Sequence, residues 1–368
     1  MCGIVGYLGP RDATEVLLDG LQRLEYRGYD SAGIAVNPDH TVQVRKVAGR
    51  LARLRQQLTE EPLPACGVGI GHTRWATHGR PSQTNAHPHV DEHGQFAVIH
   101  NGIIENHAEL RRELQARGHD FRTETDSEVI PHLLEEEYHL LEEEYRGDLL
   151  EALRRVVTRL SGSFALVAMH GAEPERIVAA RQRSPLVIGV APGEHWVASD
   201  VQALLPYTHD FLVLGDGQLA ELTSELVRVV DFAGAPVVAP SLRVGWDATA
   251  SELNGYPHFM LKEIEEQPDA LRRTLAGCVR ETAVGPELDW AGLGLTRAEL
   301  ASVERVEIVA AGTAFHAGLV GARLIERWAG LPVHAEVSSE LRYDDARVGV
   351  SAAPVGASAA PMGAGPGH

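Results

Sequence analysis

Cysteine is scarce in this chain: Cys2, Cys66 and Cys278 are its three examples among 368 residues. They lie too far apart for a Cys-x-x-Cys pair, and three is a poor number for a disulfide framework, so a reducing, cytoplasmic setting is expected. Positive charge is also short. Lys and Arg total 33 against 51 Asp and Glu, a formal net charge of -18. That balance argues against nucleic acid and anionic membranes as partners and suits a small-molecule enzyme with local basic sites. No apolar run reaches membrane-spanning length. The apolar stretch Cys2 to Leu8 is too short for a signal peptide, with Pro10, Arg11 and Asp12 following at once. Length allows about two domains.

What is present begins at the second residue. A small residue after Met1 is the usual condition for methionine removal, which would leave Cys2 with both a thiol and a free α-amine. The thiolate is the nucleophile, and an α-amine titrating near about 7.7–8.0 can serve as its base. Position alone equally suits a small hydrophobe buried at the start of a strand.

Further along, single polar residues stand at the ends of apolar runs. Gly67–Gly71 reads as a strand leading into the loop His72-Thr73-Arg74-Trp75-Ala76-Thr77-His78-Gly79. Arg74, its one cation, could hold a carboxylate in bidentate fashion, with Thr77 and His78 adding hydrogen bonds. Gln95 to His100 reads as a strand closing in Asn101-Gly102, a pair that suits both a turn and an oxyanion hole. Asp126, within Thr123-Glu124-Thr125-Asp126-Ser127-Glu128, could bind an ammonium or cap the next helix. His87, His89 and His93 lack the companion carboxylates of a metal motif, so no metal is expected. The repeat Leu-Leu-Glu-Glu-Glu-Tyr at 133–138 and 140–145 reads as a solvated acidic helix face. Phe211–Leu214 and Gln218–Leu222 read as a hairpin across Gly215-Asp216-Gly217.

Near residue 238 the composition shifts. Residues 239–257 read as a linker. Arg305–Ala310, a glycine turn at Gly312-Thr313, the helix Phe315–Ala329 and the strand Val333–Val337 then read as the opening of a doubly wound parallel sheet. Such a turn presents backbone N–H groups to a phosphate. Residues 351–368 are nearly all Ala, Gly, Pro and Ser, and disorder is expected there.

These stretches together resemble the glutamine–fructose-6-phosphate aminotransferase family. The likeness runs from Cys2 to about residue 347: CGIVGYLG at the start, LEYRGYDSAGIAV at 24–36, HTRWATHG at 72–79, NAHPHV at 85–90, HNGIIEN at 100–106, ETDSE at 124–128 and HFMLKEIEEQP at 258–268. The resemblance implies an α+β N-terminal-nucleophile αββα sandwich over residues 2–238, the class II glutamine amidotransferase fold. The incomplete start of an α/β sugar-isomerase (SIS) domain would occupy 258–350. It implies glutamine as substrate and no cofactor. Cys2 would attack the glutamine side-chain amide and form a thioester, with Asn101 and Gly102 holding the oxyanion. Arg74, Thr77 and His78 would bind the α-carboxylate and Asp126 the α-ammonium. Trp75 would stand at the mouth of an ammonia passage, and Gly312 and Thr313 would face a sugar phosphate. The family is homo-oligomeric.

The second half departs from the family pattern. Val348-Gly349-Val350 stands where a serine-rich phosphate loop belongs, and Ala314 where some members have a phosphate-binding serine. The expectation is therefore a C-terminally truncated synthase that retains the glutaminase half and is doubtful in fructose 6-phosphate binding, with a tail such as a frameshift leaves. The alternatives are a non-catalytic product or interaction module, and another class II amidotransferase, which YRGYDSAG disfavours.

Overall fold

The computed structural model describes residues 2–144, 147–245, 255–276, 279–282, 285–288 and 296–341. Met1, Cys278, Val348–Val350 and the tail 351–368 lie outside the described residues. The chain divides into two compact units, Met1–Asn254 and Gly255–His368.

The first unit opens with β1 (Gly3–Leu8), α1 (Ala13–Leu24), β2 (Ser31–Val36), β3 (Gln43–Ala48), α2 (Leu51–Glu60), β4 (Val68–Arg74), β5 (His89–Val90) and β6 (Phe96–Ile104). Three helices follow, α3 (His107–Ala116), α4 (Val129–Glu144) and α5 (Leu149–Arg159). The strands β7 (Gly162–His170), β8 (Ile177–Gln182), β9 (Val187–Ala191), β10 (Glu194–Ala198), β11 (Asp210–Val213), β12 (Gln218–Leu222), β13 (Val227–Asp231) and β14 (Ser241–Arg243) complete it.

Period-two alternation explains how these strands stack. In β1, Val5 and Tyr7 pack under α1 and α2, while Ile4 and Leu8 join a second apolar layer with residues of the facing sheet. In β6, Phe96 and Val98 face α3, α4 and α5, while Ala97 and Ile99 face inward. The result is an eight-stranded antiparallel sheet (order β14-β11-β9-β10-β1-β4-β2-β3) over a six-stranded one (β13-β12-β8-β7-β6-β5). A helix layer covers each outer face, giving the αββα sandwich. Burying each Leu or Ile of these three layers stabilises by about 1.5–3 kcal/mol. Asp12 starts α1 by accepting from the Thr14 N–H at 2.9 Å, and Asp148 caps α5 through the Leu150 and Glu151 N–H groups.

Three local expectations are corrected. β11 pairs with β9 and β14, whereas β12 pairs with β8 and β13. The glycine turn at 215–217 is thus no hairpin but a crossing from one sheet to the other. It is held by the Arg181 guanidinium on the Leu214 carbonyl and by the Arg183 N–H on Asp216 at 2.8 Å. Asn101-Gly102 is not a turn either. β6 runs on to Ile104, and Gly102 pairs with Phe164 of β7. Finally, residues 241–243 of the expected linker form edge strand β14 of the larger sheet, and Val244 is buried.

The second unit contains α6 (Phe259–Leu275), β15 (Val279–Thr282), β16 (Gly285–Leu288), α7 (Arg297–Ala301), β17 (Val306–Ala310), α8 (Gly312–Ala329), β18 (Val333–Val337) and α9 (Ser338–Leu341). β17 and β18 are parallel neighbours joined through α8, the strand–helix–strand crossover read from the sequence. Among the described residues no helix is long and apolar enough to cross a membrane.

Candidate active site

Cys2 immediately precedes β1, which lies inside its sheet with β10 on one side and β4 on the other. The far end of β4 brings Arg74 alongside, because β1 and β4 run antiparallel with Gly3 opposite Thr73. The Trp75 N–H donates to Cys2 Sγ at 3.2 Å. Burial pushes the Cys2 thiol up, against the opposing pull of that N–H. The resting sulfur therefore holds its proton until a base takes it.

The motif around residues 26–33 is the bed of the arginine loop. Asp30 Oδ2 accepts from the Ala76 N–H at 2.8 Å, and the Asp30 N–H donates to the Arg74 carbonyl at 3.0 Å. Gly28 lies so close that a Cβ there would meet the Arg74 carbonyl carbon at 2.8 Å. Tyr29 packs edge-on to Trp75, whose ring is otherwise half exposed.

Arg74 is itself buried. Its Nη2 donates to the carbonyls of His78 and Gly79, closing the loop back on itself. Its Nη1 is buried and has no partner among the described residues. Burial works to lower the Arg74 pKa, while Cys2, Asp126 and Asp30 favour the charge. An unspent guanidinium N–H in a cleft is suited to a carboxylate arriving from outside. Thr77 lines the same cleft. His78 does not join it through its ring, which packs on His107 at 5.4 Å while its carbonyl serves Arg74.

Asn101 points from β6 toward Cys2. Its Nδ2 donates to the Cys2 carbonyl at 3.1 Å. His72 Nε2 lies 2.9 Å from Asn101 Oδ1 and 3.0 Å from the His100 carbonyl, both acceptors, so this nitrogen carries the proton. That assignment fixes which way the Asn101 amide faces and leaves its second N–H for a ligand. Gly102 adopts φ +130°, and a Cβ there would lie 2.0 Å from the Ser163 carbonyl oxygen, so no other residue fits. Asp126 does not cap α4. Its Oδ2 accepts from the Ile104 N–H at 2.8 Å, which brings the carboxylate to the end of β6.

Cys2, Arg74, Trp75, Thr77, Gly102 and Asp126 thus line one small cleft, and His87, His100, Thr125 and Ser127 complete it. The histidines were missed as site residues. His72, His87, His89 and His100 form a buried cluster, with His87 ring centroids 4.3 Å from both His72 and His89. Burial lowers the His72 pKa to about 3 and lowers the other three as well. The loop carrying His87 approaches the sheet where Gly33 has no side chain; a Cβ there would meet the His87 carbonyl oxygen at 2.2 Å. Lys46 holds the same loop through the carbonyls of Thr84, Ala86 and Pro88 at 3.3, 2.8 and 3.1 Å. Strand alternation could not have found them together: His89 stands in β5, but His87 lies in the loop before it. Gly312 and Thr313 belong to the second unit, where Gly312 opens α8 with φ +59°.

Comparison with known proteins bears on the fold and the family. A model described as "Glutamine amidotransferase domain" matches residues 72–206. The chain is 54% identical over 348 residues to the glutamine–fructose-6-phosphate aminotransferase [isomerizing] of Symbiobacterium thermophilum, covering 95% of this chain and 56% of that protein. The counterpart from Thermus thermophilus is 53% identical over 345 residues, 94% of this chain and 55% of that one. The chain thus spans about half the length of the curated relatives it matches. Among solved structures, the glutamine phosphoribosylpyrophosphate amidotransferase of B. subtilis superposes with TM-score 0.56 at 20% identity, covering 94% of this chain and 71% of the other. A structure titled as the allosteric regulatory enzyme of purine biosynthesis gives TM-score 0.55 at 25% identity, over 63% and 49% of the two chains. With a class II glutamine amidotransferase fold in its first unit, this chain is homologous over nearly its whole length to the glutamine–fructose-6-phosphate aminotransferases.

Proposed function

We propose that this chain hydrolyses glutamine to glutamate and ammonia at Cys2, and that it represents the glutaminase part of a glutamine–fructose-6-phosphate aminotransferase. The observation that carries the reading is the unspent Nη1 of buried Arg74 in the cleft of Cys2 and Asp126. A glutamine α-carboxylate would take that N–H, with Thr77 assisting, and its α-ammonium would meet Asp126; His78 would act only by holding the Arg74 loop through its carbonyl. The side-chain amide then reaches Sγ. With Met1 removed, the Cys2 α-amine takes the thiol proton as sulfur attacks the amide carbon. The Asn101 Nδ2–H and the Gly102 N–H hold the oxyanion. The proton passes to the leaving nitrogen and ammonia departs past Trp75, leaving a thioester. Water cleaves the thioester to glutamate and regenerates the thiol, and no cofactor takes part.

The second unit, with its crossover β17–α8–β18, supports the beginning of a sugar-isomerase module, and Gly312 and Thr313 are its candidate phosphate contacts. Fructose 6-phosphate, self-association and a cytoplasmic location belong to this proposal too. The test is product stoichiometry with glutamine and fructose 6-phosphate present. Glutamate without amino sugar is expected, and a Cys2→Ala chain that stays folded should release none. Glutamate release undiminished in Cys2→Ala would end the nucleophile assignment. Amino sugar formed in equal amount would mean that the chain performs the whole transfer.

A further inference from the structure

Outside the cleft, three segments bring metal-ligating side chains together. Glu92 lies in the connection between β5 and β6, His119 in the loop after α3, and His132 one turn into α4. One donor atom from each lies within 4.8 Å of the others. Glu135, read from the sequence as part of a solvated acidic face, is instead buried beside them. His119 Nδ1 is 3.6 Å from Glu92 Oε1 and 3.6 Å from Glu135 Oε2, and His132 Nδ1 is 3.9 Å from Glu135 Oε2. Ligand atoms around a tetrahedral zinc, each at about 2.0–2.1 Å, stand roughly 3.3–3.5 Å apart. The distances from His119 to Glu92 and Glu135 are close to that spacing, and the triad, whose atoms lie within 4.8 Å of one another, would contract around a bound ion.

Its electrostatics call for a cation. His132 is 1% exposed, and among the described residues neither ring nitrogen has a hydrogen-bond partner. Glu135 Oε2 is likewise buried without one. His119 Nε2 sits 3.1 Å from Glu136 Oε1, and a carboxylate can only accept, so that nitrogen carries the proton. In the neutral ring, Nδ1 then turns a lone pair toward the carboxylates of Glu92 and Glu135. Acceptors converging on one point favour a positive centre between them; the other donors at hand are the Asp120 N–H on Glu92 Oε1 and the exposed His93, whose Nε2 is 3.4 Å from Glu135 Oε1. Glu136, further held by Arg117 at 2.6 Å, stands behind His119 as carboxylates stand behind metal-bound histidines.

We propose that Glu92, His119 and His132, with Glu135 or a water as fourth ligand, bind a divalent transition metal of the zinc class. Two imidazole nitrogens with carboxylate oxygens suit such an ion better than magnesium or calcium, which prefer all-oxygen shells. It would tie the β5–β6 connection, the loop after α3 and helix α4 into one unit. The ligands follow no sequence motif because each comes from a different segment.

The test uses the full untagged chain, stripped with a chelator and titrated with zinc at pH 7.5. One equivalent bound, with affinity reduced more than tenfold in both Glu92→Gln and His119→Gln and kept in Cys2→Ala, is the expected result. These two positions are partly exposed, so their variants should fold, which a substitution at buried His132 cannot guarantee. Cobalt should give the visible bands of a four-coordinate nitrogen–oxygen site. No zinc binding, binding unchanged in both variants, or a thiolate charge-transfer band with cobalt would overturn the proposal. In the first case His119 is doubly protonated and the cluster is a set of ion pairs. Zinc binding does not depend on glutaminase activity, so this proposal and the glutaminase reading fail separately.

Discussion

The side-chain amide of Asn101 donates to the backbone carbonyl of Cys2 at 3.1 Å, across a sequence distance of 99 residues. One side chain thereby orients the nucleophile's backbone, and its amide keeps a second N–H beyond that bond. Asn101→Ala should lower kcat for glutamine hydrolysis by about 10²–10³, the usual loss for one oxyanion donor, with KM nearly unchanged. Steady-state glutamate release decides it. An unaltered kcat would remove Asn101 from the reaction.

Arg74 divides its guanidinium between two tasks, loop closure through Nη2 and an unspent Nη1 in the cleft. A lysine ammonium cannot span both in that planar geometry. Arg74→Lys should therefore reduce kcat/KM for glutamine about tenfold to a hundredfold, chiefly through KM, matching about 1.5–3 kcal/mol for a charged hydrogen bond. A loss confined to kcat would argue against carboxylate binding here.

The buried histidines give the fold an acid limit. Burial holds His72 at about 3 and also lowers His87, His89 and His100. In the unfolded chain such rings titrate near about 6.5. Below that pH the unfolded state takes up protons that the fold refuses, so stability rises with pH across this window. The stabilisation is complete above about pH 6.5 and is lost progressively as pH falls toward 3. Each ring costs up to about 1.4 kcal/mol per pH unit. Tm should fall by at least about 5 °C between pH 7 and pH 5. A Tm constant over that range would contradict the assignment of neutral buried rings.

Much of this architecture was legible because strand alternation and motif spacing are local. Val5 and Tyr7 against Ile4 and Leu8 already announce a strand buried on both faces. Cys2, Arg74, Asn101, Gly102 and Asp126 stand at the ends of recognisable runs. What escaped reading depends on partners distant in sequence. Nothing near Gly215 says that Phe211 and Leu219 belong to different sheets, since a glycine turn serves a hairpin and a crossing equally well. Asp30 looks like a turn residue until the Arg74 loop is laid upon it. Glu135 repeats in a heptad with solvated glutamates, yet it is buried where segments distant in sequence, carrying Glu92, His93 and His119, converge on it.

Lys46 also bears on how the sandwich ends. It sits on β3, the last strand of the larger sheet, and its carbonyl acceptors lie in the loop that leads into β5, the last strand of the smaller one. An ammonium has three protons, and here each has a carbonyl to meet. One side chain thus laces together the two strands that would otherwise be open selvedges, inviting another chain to add on. The flank beside the histidine loop is sewn shut by a charge rather than covered by a helix.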